Sequence, residues 1–169
     1  MRILFLHPVF PGQFHRLMAH LAARPGHEIL HLSRQSAMES VPGVRKFQYK
    51  VPDASSHGHP FASRLDEAVR HGEAVAKAAL ELRRRGFRPD LIYGYAGWGP
   101  TLFMKDVWPD VPLAGYFEWY LHAFGSEYNF DPEHPLAWER QLHLRIFNAN
   151  MLLDLESCDH GLTPTHWQH

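Results

Sequence analysis

Ile3-Leu4-Phe5-Leu6 form a short apolar run that stops at His7-Pro8, the pattern of a parallel strand buried on both faces. Pro8 to Gln13 carries two prolines and a glycine, which extend neither a helix nor a central strand, so a loop is predicted there. Phe14, Leu17, Met18 and Leu21 then recur at i, i+3, i+4 and i+7, one apolar stripe of a helix lying on a sheet. Arg24-Pro25-Gly26 ends that helix, and His27 to Leu32 resumes an extended apolar pattern. Residues 1–33 thus predict a strand, loop, helix, strand unit closed by a right-handed crossover.

The pattern continues along the chain. Val44 to Val51 reads as a third strand, and Phe61 to Arg85 as a helix with Leu65, Ala68, Val69, Val75, Ala76, Ala79 and Leu82 on one side. Arg83-Arg84-Arg85 before Gly86 fits a helix end, with cations at the negative pole of the dipole and glycine just beyond; docking on anionic lipid is the alternative use of those arginines. Pro89 to Tyr93 opens a further strand. Gly94 to Pro100 loops into a helix from near Thr101 to Trp108, and Leu113 to Phe117 is the next strand. After a polar and aromatic stretch from Glu118 to Glu133, Pro135 starts a long helix with Trp138, Leu142, Ile146, Ala149 and Leu153 as its apolar stripe, and Asp159 to Leu162 is a last short strand. The fold class expected is α/β: one domain over residues 1–169, a Rossmann-like parallel sheet with helices on both faces. Thr163 to Gln168 turns toward a further helix, so a piece of a longer protein is expected.

Composition narrows the function classes. Forty-five per cent hydrophobic and 21% charged residues are ordinary globular usage, and a formal net charge of −1 argues against a nucleic-acid footprint. The single cysteine, Cys158, leaves no internal disulfide and fits the cytoplasm. The apolar run after Arg2 is too short for a signal peptide, and no stretch approaches a membrane span.

In a parallel sheet, ligands gather at the carboxyl edge of the strands, which selects the candidate residues by position. Gly12 and Gln13 lie in the loop after the first strand, where glycine brings backbone N–H groups to a helix start. Tyr95 and Trp98 lie in the second glycine-rich strand-to-helix turn. Glu118 and Tyr120 open the loop after Phe117, where acids accept from hydroxyls and rings pack on C–H faces of a polyol. A turn glycine, a capping glutamine, core aromatics and solvated acids are the plainer alternatives.

His27-Glu28-Ile29-Leu30-His31 matches H-E-x-x-H, which on a helix would make a zinc hydrolase site. On the strand predicted here, residues i and i+4 stand roughly 13 Å apart, too far to share an ion. The fourteen histidines are scattered over the chain and show no convincing ligand spacing beyond the one short repeat His57-Gly58-His59. No G-x-G-x-x-G follows the first strand, no acid closes the second, and no Walker A lysine occurs, which disfavours a dehydrogenase or P-loop NTPase.

Met1 to His7, Phe10-Pro11-Gly12-Gln13-Phe14, Pro25-Gly26-His27-Glu28, Gly115-Tyr116-Phe117-Glu118-Trp119-Tyr120, Phe130-Asp131-Pro132-Glu133 and Pro164-Thr165-His166-Trp167-Gln168 together resemble the amino-terminal domain of family 4 glycosyltransferases. The resemblance implies one half of a two-domain GT-B enzyme that retains anomeric configuration and needs no metal. Its donor substrate would be a nucleotide-sugar, held by a carboxyl-terminal donor domain, and the acceptor a glycan or small molecule held by this half. It places Gly12 and Gln13 at the donor phosphates or reacting sugar, and Glu118, Tyr120, Tyr95 and Trp98 toward the acceptor. At Glu118 many family members carry a histidine, so acceptor binding is assigned to it and the catalytic residues are left open. A non-catalytic sugar- or nucleotide-binding module is the alternative, and association with a membrane surface is compatible with either.

Overall fold

A computed structural model describes residues 1–36, 40–53, 58–125 and 128–166. Its centre is a six-stranded, wholly parallel sheet of β1 (Arg2–Leu6), β3 (Glu28–Ser33), β5 (Val44–Gln48), β6 (Leu91–Tyr95), β7 (Leu113–Tyr116) and β8 (His160–Leu162), in the order β5-β3-β1-β6-β7-β8. Two short strands, β2 (Val9–Phe10) and β4 (Gln35–Ser36), pair in parallel beyond the ends of β1 and β3. Ile3, Leu4, Phe5 and Leu6 are all buried, as a strand covered on both faces requires.

Side chains alternate across the sheet and define two cores. Leu4, Leu6, Leu30, Leu32, Ile92 and Leu113 pack against α2 (Ser63–Arg84) and α3 (Met104–Val107). Ile3, Phe5 and Ile29 pack with Phe10, Phe14 and Met18, the last on α1 (His15–Ala22). Helices therefore cover both faces, as expected. The α1 stripe is narrower than its spacing predicts, because Leu17 is exposed. The arginine run behaves as a helix end. Gly86 N–H donates to Arg83 O and Phe87 N–H to Leu82 O, both at 3.0 Å, a glycine-terminated cap, while Arg84 and Arg85 pair with Glu81 and Arg83 donates to Val107 O.

The expected single helix from Pro135 is two, α4 (Trp138–Phe147) and α5 (Ala149–Ser157), meeting at Asn148. Its expected apolar stripe is also wrong. Trp138, Leu142, Ile146 and Leu153 are exposed, whereas Leu144, Asn148, Met151 and Asp154 face inward. Asn148 explains the choice: its Nδ2 donates to Leu121 O at 2.7 Å and its Oδ1 accepts from Leu121 N–H at 3.0 Å, so the loop after β7 lies over that side. The helix near Thr101 begins later, at Met104. Among the described residues no helix is long and apolar enough to cross a membrane.

Candidate functional site

Because every paired strand runs the same way, the segments after β1, β3, β6 and β7 emerge at one edge of the sheet. The loop after β1 is anchored by Phe10, fully buried and set edge-on to the ring of His31 at 4.9 Å. His7 folds the loop back on itself, with Nδ1 2.7 Å from Val9 O and 3.0 Å from Val9 N; the tautomer carrying its proton on Nδ1 donates to the carbonyl. Gly12, at φ +58°, then passes so close to this imidazole that an ideal Cβ would stand 2.5 Å from Nδ1, so both its backbone angle and its surroundings call for glycine.

Gln13, Tyr95 and Glu118 meet although they lie far apart in sequence. Gln13 Nε2 donates to Glu118 Oε1 at 3.0 Å, and the Tyr95 hydroxyl donates to Glu118 Oε2. Tyr95 is buried between rings, 4.8 Å from His7 and stacked on Trp98 at 6.0 Å with 6° between planes. Burial, and then the bond to Glu118, push the Tyr95 phenol well above its ordinary value. The His7 imidazole is held below its usual range by burial, against the opposing pull of the Val9 carbonyl and of Glu118. His7 is thus a neutral ring packed beneath the cluster.

The loop carrying Trp98 is held from below by α5. Asp154, 1% exposed, accepts the Gly97 N–H on Oδ2 at 2.5 Å, and burial pushes its carboxyl up to about 6. Gly99, at φ +100°, lets the same loop press on α2, where a Cβ would lie 2.2 Å from Ala68 O.

Five of the six candidate residues, Gly12, Gln13, Tyr95, Trp98 and Glu118, therefore form one connected group. Tyr120 does not join it. It is 46% exposed, lies 5.2 Å from the His122 ring, and lines a separate groove with Gln141, Arg145 and Leu152, because the chain turns toward α4 and α5 directly after Glu118. His7 and Asp154 were missed as supports. His7 stands just after the first apolar run, but the sequence does not show that its ring packs on Gly12, and nothing in the sequence sets Asp154 apart from other helical acids. The H-E-x-x-H segment lies mainly on β3, and Glu28 pairs with Arg2 at 3.2 Å and Arg45 at 2.7 Å, so it offers no zinc geometry. His57, Trp167 and Gln168 lie outside the described residues.

The sequence profile described as "Glycosyl transferase family 4 group" matches residues 25–169. The chain belongs to the family 4 glycosyltransferases. Among solved structures, UGT2 of Phytolacca americana in complex with UDP-2fluoro-glucose and pterostilbene is similar at a TM-score of 0.62 and 12% identity, over 99% of this chain and 48% of that one. Apo UGT2 of the same plant gives 0.58 and 11%, over 99% and 46%. At these identities the likeness speaks for the fold: this family 4 sheet is a Rossmann-like half of the GT-B arrangement, spanning about half the length of those structures. No curated protein sequence matches the chain.

Proposed function

We propose that this chain is the acceptor-side half of a retaining glycosyltransferase, which moves a sugar from a nucleotide-sugar to a hydroxyl of a glycan or small-molecule acceptor. The observation that carries the reading is the convergence of Gln13 and Tyr95 on Glu118 at the carboxyl edge of the sheet, where α/β folds bind ligands. Family membership supports the reaction class, and the plant neighbour holds UDP-2fluoro-glucose together with pterostilbene. In this reading the backbone of Gly12 and Gln13 faces the donor phosphates across the cleft from a carboxyl-terminal donor domain, a role that needs N–H position more than side-chain chemistry. Glu118 accepts from the acceptor hydroxyl, Tyr95 and Trp98 shape its pocket, and Tyr120 stands in an outer groove that a longer acceptor would reach. No metal enters the reaction, and the lone cysteine, unpaired in the structure, favours the cytoplasm.

The test is transfer from UDP-glucose by the enzyme carrying this half, assayed against polyol and phenol acceptors. Retention predicts a product with the donor's anomeric configuration by proton NMR, and an inverted product would overturn it. Glu118→Gln is expected to lower transfer about 100-fold with an unchanged unfolding midpoint; wild-type rates would remove Glu118 from the site.

A further inference from the structure

Beside the Glu118 cluster the same edge of the sheet holds a second cleft, of about 130 Å³, whose walls include Pro8, Arg34, Arg64, His71, Trp98 and Asn150. Pro8, Arg34 and Trp98 follow β1, β3 and β6, while Arg64 and His71 stand on α2 and Asn150 on α5. Trp98 belongs to both places, since its ring lines this cleft and stacks on Tyr95, the donor to Glu118.

The charges in this cleft do not balance. Arg34 is pinned through its backbone N–H to Pro8 O at 3.0 Å, and its Nη1 lies 3.4 Å from Nε2 of His71. His71 is 4% exposed, and burial together with Arg34 holds its pKa below the usual range despite Glu67. Arg34 therefore rests against a neutral ring, and no carboxylate among the described residues forms an ion pair with it. Arg64 is held in place by rings, its Cζ 5.4 Å from Trp98 and 5.7 Å from Phe147. Its Nη1 lies 3.3 Å from Glu67 Oε2, and its backbone carbonyl accepts from Asn150 Nδ2 at 3.3 Å. Two guanidinium groups thus face a lining with one carboxylate, Glu67. Guanidinium forks suit planar or tetrahedral oxyanions, and Ala68 and Phe147 supply apolar wall beside them.

We propose that this cleft is an anion subsite, in which Arg34 and Arg64 bind a carboxylate or phosphate group of the acceptor while Trp98 and Tyr95 pass its hydroxyl-bearing part toward Glu118. The proposal rests on the acceptor-side reading above and narrows its substrate to an acidic or phosphorylated polyol.

Calorimetry on this chain with glucose 6-phosphate, glucuronate and glucose tests it. At least one anion is expected to bind about tenfold or more tightly than glucose, with the preference falling as salt rises. Tighter glucose 6-phosphate assigns a phosphate, and tighter glucuronate a carboxylate. Arg34→Gln and Arg64→Gln should each remove the preference, whereas Arg34→Lys, which keeps the charge but loses the fork, should keep part of it. Equal affinities for all three probes, no saturable anion binding, or a preference that survives both glutamine variants would overturn the subsite. Glu118→Gln separates the two readings: anion preference kept while transfer stays at the wild-type rate leaves the subsite standing and removes Glu118 from the acceptor site.

Discussion

The imidazole of His7 occupies the space that a side chain on Gly12 would need, with the would-be Cβ 2.5 Å from His7 Nδ1. Gly12 also adopts φ +58°, which L side chains resist. Gly12→Ala is therefore expected to cost about 1–3 kcal/mol, part from the backbone angle and part from displacing the ring. Only the second part depends on His7. In urea unfolding of the two single variants and the double variant, His7→Ala with Gly12→Ala should destabilise by less than the sum of the singles; strict additivity would show that the ring is not what excludes the side chain.

Glu118 links three elements through Gln13 and Tyr95, and Tyr95 is the partner with more at stake. Tyr95 is 8% exposed, so losing its acceptor strands a buried hydroxyl, at a cost of about 1–3 kcal/mol. Tyr95→Phe preserves the stack on Trp98 and the contact with His7 while removing that hydroxyl. Glu118→Ala should consequently be more damaging in the wild type than in the Tyr95→Phe background, with a coupling of about 1 kcal/mol. Equal losses in the two backgrounds would mean that the bond contributes nothing to stability.

What was legible in the sequence follows from periodicity and position. The run Ile3 to Leu6 has no polar residue to place outward, so it had to be a strand covered twice, and parallel strands send Gly12, Tyr95 and Glu118 to one edge whatever their separation along the chain. Spacing could not say which side of α4 and α5 is covered. Leu142 and Leu144 are equally apolar, and contacts distant in sequence, among them the hydrogen bonds of Asn148 to Leu121, 27 residues away, decide that Leu144 faces in. Tyr120 stands apart from the cluster for the same reason, since a residue two places after Glu118 leaves it once the chain turns over the helix. Arg34 and Arg64 gave no signal because their nearness depends on α2 reaching back to the carboxyl edge.

His31 should make the fold sensitive to acid. It is wholly buried at the middle of β3, neither ring nitrogen has a hydrogen-bond partner among the described residues, and burial, reinforced by His7, lowers its pKa from 6.5 to about 3. A proton therefore binds the unfolded chain more tightly than the folded one. The stabilisation is fully present above pH 6.5 and is lost progressively as pH falls toward 3, on the order of a few kcal/mol in total. His31→Leu should flatten this slope while leaving stability at pH 7 unchanged or higher, as measured by urea unfolding between pH 7 and pH 4. A slope that persists would assign the acid loss to His7 and His71, whose pKa values are also lowered.

Asp154 carries the opposite sign. Burial raises its pKa from 3.8 to about 6, partly offset by the Gly97 N–H and the Thr101 hydroxyl, so here the folded state holds the proton more tightly. Its contribution is complete below pH 3.8, falls as pH rises through the window from about 4 to 6, and is flat above it. A shift of this size is worth roughly 3 kcal/mol at neutral pH. Asp154→Asn keeps an oxygen to accept from Gly97 and removes the charge, so it should raise stability at pH 7 and abolish the fall across that window. Asp154→Leu also removes the charge but orphans the Gly97 N–H beside Trp98, and it should forfeit about 1–3 kcal/mol of that gain. If the asparagine and leucine variants unfold at the same urea concentration at pH 7, the hydrogen bond is not what holds the Trp98 loop in place.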